Sequence, residues 1–196
     1  MLLSSFFCYD IIYVELGGLN MPRAKYQFED FILAVTDEHK DFVRAVHGIM
    51  MQDGHKARVQ DAKNGSLKLT YSKPKIKSTS GNIAIFLFED DGRLAVRIYG
   101  KNHKSYPDAL NGLPPHMEAQ IDARPDCKKF VDPSKCWTGC RGYDFYIGEK
   151  LYQKCMTVCF QFVVDFESKE GLMSLVESES KMRGLEGCAD AASGDI

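Results

Sequence analysis

The sequence predicts an α+β domain in which a mostly antiparallel sheet of hairpins has N-terminal and C-terminal helices packed on it. Three observations support this fold class. Apolar residues recur at helical spacing near both ends of the chain. Between them, short alternating segments are separated by turn signals. The third observation is length, because 196 residues suit one domain, and we expect it to span 21–184.

The first 20 residues allow two interpretations. They are apolar, but no Lys or Arg precedes the apolar run, so they do not match a secretory signal. Gly17 and Gly18 require codons that place a purine-rich stretch just before Met21, which looks like a bacterial ribosome-binding site. We therefore expect 1–20 to be either a translated leader of a bacterial protein or an ordinary N-terminal strand. The start could be Met1 or Met21.

The first predicted helical region covers 26–53. Apolar residues recur there at helical spacing, and Thr36 and Asp37 are start signals while Gly54 is a stop signal. Further on, several prolines within 105–121 predict short helical turns.

Three hairpins are predicted. The first covers 57–72 around Asn64-Gly65, and the second joins 82–88 to 93–99 around Asp91-Gly92. The third runs from 143–147 through a turn at Gly148 into one long strand, 151–166. A last helix is expected to begin near Ser168, and 185–196 is expected to be a flexible tail.

Five of the seven cysteines lie between positions 127 and 159. The pairs Cys136/Cys140 and Cys155/Cys159 both have the C-x₂₋₄-C spacing of zinc ligands. On a regular strand, however, Cys155 and Cys159 would be about 13 Å apart, whereas thiolates on one zinc are about 4 Å apart. The predicted zinc ligands are therefore Cys127, Cys136, Cys140 and Cys155, with Cys159 as a core residue.

Other roles for these thiols remain open. They could pack without a ligand, form a redox or disulfide pair, or serve a thiol-dependent enzyme. No local sequence signature joins a cysteine to a candidate general base. We therefore assign no catalytic residue, and the sequence favours a protein that is not an enzyme. The candidate bases are His39, His47, His55, His103 and His116.

A second candidate function is a binding module for an anionic ligand or nucleic acid through a basic hairpin face. Tyr71 and Tyr99 are interleaved and could stack on bases; a solvated hairpin face is the alternative. The proposed anion-binding residues are Lys56, Arg58, Lys68, Lys73, Lys75, Lys77 and Arg97. No run approaches the ~18 apolar residues of a membrane span, so no membrane partner is expected.

The segment Tyr71-Ser72-Lys73-Pro74, followed by an apolar strand pair that ends in Arg97-Ile98-Tyr99, resembles small bacterial domains of the frataxin-like iron-chaperone type. The resemblance covers about 36–113. It implies an α+β fold and iron handling, and it implies no particular site residue.

The leading interpretation is a cytoplasmic bacterial protein in which a cysteine loop holds a structural zinc. Without a secretory signal the reducing cytoplasm is the expected compartment, where clustered cysteines are more often ligands, redox groups or core residues than structural disulfides.

Overall fold

The computed structural model describes residues 26–74, 81–136 and 140–192, and it describes side chains as far as residue 183. The helices are α1 (Phe28–Ala34), α2 (Asp37–Gln52), α3 (Pro107–Asn111), α4 (Pro115–Asp122), α5 (Lys128–Val131) and α6 (Ser168–Ala192). The strands are β1 (Lys56–Asp61), β2 (Leu67–Ser72), β3 (Asn82–Phe88), β4 (Leu94–Ile98), β5 (Tyr143–Ile147), β6 (Lys150–Lys154) and β7 (Gln161–Val163). The predicted α+β class is confirmed.

The predicted helical region 26–53 is two helices rather than one. Val35 (φ −82°, ψ 139°) and Thr36 (φ −63°, ψ 147°) are extended and separate α1 from α2. The expected stop is present, because Gly54 has φ +75°, a conformation that glycine adopts without steric cost.

The main sheet has the order β1-β2-β3-β4-β7, and every neighbouring pair is antiparallel. The first two predicted hairpins are thereby confirmed. Leu69, Phe86 and Val96 lie on one face, are fully buried, and belong to a single core that includes residues of α1, α2 and α6. On the opposite face Ile85, Leu87 and Arg97 are only half-buried, whereas Ala95 and Gln161 toward β7 are buried, so this face is open mainly over β1, β2 and β3.

The predicted long strand 151–166 is wrong. β6 pairs with β5 in a separate two-stranded sheet, whereas β7 pairs with β4 in the main sheet. Residues 155–160 form the turn between them, and the N–H of Cys159 donates to the carbonyl of Cys155 at 3.0 Å. The strand breaks because the chain must pass from one sheet to the other.

A side chain of α4 and one that follows this helix cap the outer edge of β7. The N–H of Val163 donates to Gln120 Oε1 at 3.0 Å, and Arg124 Nη2 donates to the carbonyl of Gln161 at 2.9 Å. The outer edge of β1 differs: within 26–74, 81–136 and 140–192, no strand pairs with it.

The C-terminal helix α6 begins at Ser168 as expected and continues to Ala192, into the segment predicted as a tail. Its Glu179 is fully buried, and it accepts hydrogen bonds from Tyr106 Oη at 2.8 Å and Arg183 Nε at 2.6 Å. The backbone N–H groups of Lys101 and Asn102 also donate to this carboxylate, both at 3.1 Å. Of the helices described, none has the length and apolar character to cross a bilayer.

Candidate metal centre

Three of the four predicted ligands come together. The Sγ atoms of Cys127, Cys136 and Cys140 all lie within 4.8 Å of one another, and no other group of three or more such ligand atoms occurs among the described residues. Cys127 and Cys140 are 2% and 5% exposed. Cys136 is half-buried.

Short local structures bring these thiols to one point. Cys127 immediately precedes α5, Cys136 follows a 3-10 turn at Pro133–Lys135, and Cys140 lies just before β5. Asp132 Oδ1 accepts from the N–H of Ser134 at 3.1 Å, which stabilises that turn. Lys129 Nζ donates to the carbonyl of Cys140 and so joins the two ends of the loop.

Gly142 allows the loop to close tightly against the thiols. It has φ +65°, and a Cβ at this position would lie 2.9 Å from Cys127 Sγ and 2.6 Å from Phe130 Cε2. Both the backbone conformation and the close approach therefore require glycine.

The fourth predicted ligand, Cys155, lies outside the group of three. Its Sγ is 3.2 Å from Thr157 Oγ1. Its backbone N–H donates to the carbonyl of Pro125 at 3.3 Å, while the N–H of Cys127 donates to Gln153 at 2.9 Å. These bonds flank an antiparallel bridge between Asp126 and Lys154.

The predicted separation of about 13 Å between Cys155 and Cys159 is wrong, because it requires a regular strand that the chain does not form here. In the helical turn that the chain forms here, residues four apart lie about 6 Å apart along the axis. The assignment of Cys159 to the core is nevertheless confirmed, because it is fully buried and belongs to the hydrophobic core.

Lys154 supports this region and was not identified from the sequence. It is 5% exposed, and its Nζ donates to the carbonyls of Asp122 at 2.9 Å and Arg124 at 2.8 Å. It also pairs with Asp126 Oδ1 at 2.8 Å. A buried ammonium with three oxygen partners fixes the segment that leads into Cys127. In the sequence Lys154 looks like any exposed strand lysine.

The loop buries almost nothing except its cysteines. Among the described residues from 127 to 140, only Cys127 and Cys140 are buried. Phe130 and Val131 are 37% and 85% exposed. A four-residue helix does not hold itself together in water, so α5 depends on its contacts with the rest of the loop.

Burial raises the pKa of Cys127, and the neighbouring Cys140 and Cys155 thiols raise it further, against a lowering by the backbone amide of Lys129. A thiol with a raised pKa is a poor nucleophile. In the described part of the chain no histidine nitrogen shares the cluster. His103, for example, has its ring nitrogens 2.7 Å from the carbonyl of Gly100 and 3.2 Å from that of Asp144.

The predicted anion-binding residues are partly brought together. Alternation along the paired strands places Lys56, Arg58, Lys68 and Arg97 on the open face of the main sheet. Lys73 follows the end of β2, and Lys75 and Lys77 lie outside the described residues.

The suggested stacking role of Tyr71 is wrong. Its side chain is fully buried on the core face of β2. The Tyr71 hydroxyl lies 3.1 Å from Nδ1 of His47, with which it forms a hydrogen bond.

Comparison of the chain with protein-family models, curated proteins and solved structures finds no match. The resemblance to frataxin-like domains therefore stays a prediction, and function must be argued from the geometry.

Proposed function

We propose that the protein holds a structural zinc ion through Cys127, Cys136, Cys140 and Cys155, and that this ion orders the loop that joins α4 to β5. One observation carries the proposal: three thiols converge in a loop in which, among the described residues from 127 to 140, only cysteines are buried. We infer a structural role rather than catalysis, in a reducing cytoplasm where the thiols stay available to a metal.

The geometry and chemistry of the group suit zinc. Thiolates bound at ~2.3 Å in a tetrahedron lie about 4 Å from one another, so the Sγ atoms, now within 4.8 Å, need to move by less than about 1 Å. Thiolates are soft ligands that select zinc, iron–sulfur clusters or copper(I) over magnesium and calcium. Iron, which the frataxin-like resemblance implies, is the competing ion.

Cys155 is the fourth ligand that the register supports. Because Asp126 is bridged to Lys154, Cys127 and Cys155 are diagonal neighbours on one face of the pairing. Diagonal neighbours have Cα atoms roughly 7–8 Å apart and Cβ atoms closer. Coordination by Cys155 requires its side chain to turn away from the Thr157 hydroxyl, which it contacts at 3.2 Å.

Simple packing of thiols explains the cluster less well. Cys159 shows what a packed thiol looks like in this protein: it is fully buried among apolar side chains of the core. Cys127 and Cys140 are buried outside that core, beside other sulfur atoms and under a loop of exposed residues. Sulfur atoms gathered at a surface loop are better explained by a shared ligand.

The test is the metal content of protein purified without chelator. We expect about one equivalent of zinc per chain, retained in Cys159→Ala and lost in Cys140→Ala. Both variants remove one buried thiol, so general destabilisation would affect them alike. Less than about half an equivalent in the unmodified protein, with the described thiols all reacting freely, would refute the proposal. Iron in place of zinc would support metal binding and overturn the choice of ion.

A further inference from the structure

We propose that the open face of the main sheet binds single-stranded nucleic acid. This basic sheet face comprises Lys56, Arg58, Lys68, Ile85, Leu87 and Arg97. The proposal is independent of the metal centre, since none of these residues belongs to the cysteine loop or to the two-stranded sheet beside it.

The register places the cations at both sides of an apolar strip. Arg58 is opposite Thr70, Thr70 is opposite Ile85, and Ile85 is opposite Arg97, so the four residues form one row across the sheet. Arg58 and Arg97 are three strands apart, or roughly 14 Å. Lys68 and Leu87 extend the face into the adjoining row, opposite Gln60 and Ala95.

The cations of this face are available to a ligand. Within the described part of the chain, no ion pair joins Arg58 or Lys68 to a carboxylate. Arg97 Nε donates at 2.7 Å to the neutral amide oxygen of Gln161, whose Nε2 donates in turn to Glu89 at 2.7 Å. Arg97 therefore points away from β1, which widens the separation of positive charge across the face.

The spacing and the apolar strip together determine the class of ligand. Because Arg97 is turned toward Gln161 and its backbone is roughly 14 Å from that of Arg58, the two guanidinium groups suit a partner with several anionic groups better than a single phosphate ion. Ile85 and Leu87 are half-buried between them and offer no hydrogen bonds, which suits the faces of unpaired bases more than a sulfated sugar. Single-stranded nucleic acid supplies both spaced phosphates and unpaired bases.

Fluorescence anisotropy with a labelled oligothymidine of about 20 nucleotides tests the proposal on the full-length protein. We expect Arg58→Ala and Arg97→Ala each to weaken binding several-fold. Each should also reduce the slope of log affinity against log salt by about 0.7. Lys181→Ala removes an exposed cation from α6 and should leave both quantities unchanged.

A base-free oligomer with the same number of phosphates completes the test. It should bind several-fold more weakly than oligothymidine, because it cannot use the apolar strip. Equal affinity for the two would show a general polyanion surface and overturn the assignment to nucleic acid. The site itself would be overturned if oligothymidine binding did not depend on salt, or if Lys181→Ala weakened it as much as Arg58→Ala and Arg97→Ala do.

Discussion

Cys127 and Cys155 lie diagonally across an antiparallel bridge, each tied to the other's segment by a backbone hydrogen bond. The N–H of Cys127 donates to Gln153 at 2.9 Å, and the N–H of Cys155 donates to Pro125 at 3.3 Å. The backbone therefore sets the relative position of the two residues, and the proposed four-cysteine site requires the Cys155 side chain to turn away from Thr157.

Cobalt(II) substitution should show whether Cys155 completes the metal centre. With four thiolates we expect intense visible absorption typical of tetrahedral cobalt, and Cys155→Ser should weaken the sulfur-to-metal charge-transfer band by about a quarter. A visible spectrum that is unchanged in Cys155→Ser would assign the fourth position to another group and leave the three-cysteine site standing. Thr157→Ala, which removes the hydroxyl beside this sulfur, is the matched control.

Substitution of Gly142 should damage the centre beyond ordinary backbone strain. Gly142 and Gly148 both have positive φ, +65° and +59°, but only at Gly142 would a Cβ meet other atoms, including Cys127 Sγ at 2.9 Å. We expect Gly148→Ala to cost about 1–2 kcal/mol of unfolding free energy from strain alone. Gly142→Ala should cost more and also weaken zinc binding. If a competition titration gave the same zinc affinity for Gly142→Ala and Gly148→Ala, the close approach of Gly142 to Cys127 would not be needed for the metal centre.

The buried pair of Glu179 and Arg183 should be among the most sensitive positions for stability. Glu179→Gln leaves the Arg183 guanidinium, 2% exposed, without its carboxylate, and we expect a loss of about 3–5 kcal/mol. The exposed pair of Lys104 and Asp144 provides a control. Asp144→Asn there should cost less than about 1 kcal/mol. Urea unfolding followed by circular dichroism measures the unfolding free energy of both variants. Similar losses would show that burial does not determine how much an ion pair contributes to stability.

Stability should fall as the pH drops below neutrality, in part through His55. Burial lowers the pKa of His55, against smaller raising effects from Asp53 and Ser180. Below the unfolded pKa of ~6.5, the unfolded chain binds a proton that the native state binds less well. Unfolding free energy should therefore decrease with falling pH until the native pKa is reached.

His55→Gln should make this decrease shallower, by at most about 1.4 kcal/mol per pH unit. The curves of variant and unmodified protein should run parallel above pH 7, where the imidazole is neutral in both states. If the slopes below pH 6.5 were also the same, the pH dependence would lie in other groups.

The hairpins could be predicted because their turns are encoded locally. Gly65 and Gly92 have φ values of +82° and +83°, which the Asn-Gly and Asp-Gly signals anticipate. The break between α1 and α2 also has a local signal, because Thr36 and Asp37 are residues that favour the start of a helix. Here local chemistry and tertiary structure agree.

The break at Cys155 could not be predicted from the pattern. Tyr152 and Lys154 in β6, and Phe160, Phe162 and Val164 near β7, are all buried. In the sequence, every even-numbered position from 152 to 164 except Lys154 carries an apolar or aromatic residue, so the alternation of a single strand runs straight through the turn. The break follows from membership of two different sheets, which is a long-range property of the fold.

The diagonal placement of Cys155 relative to Cys127 and the buried ion pair illustrate the same limit. Spacing along the chain identified the Cys136/Cys140 pair, but the relation of Cys127 to Cys155 depends on pairing across the bridge between Asp126 and Lys154. Glu179 and Arg183 have the i,i+4 spacing of a surface pair, and only the packed structure shows them to be buried.

The shallow burial of the cysteine loop has a consequence for how this protein can change. Apart from Cys127, no described residue from 127 to 136 is buried, so packing places few demands on their identity. Such a loop tolerates drift in sequence, provided that the sulfur positions and Gly142 are kept. Under the proposed coordination, variation in this loop is restricted mainly at its cysteines and where Phe130 approaches Gly142.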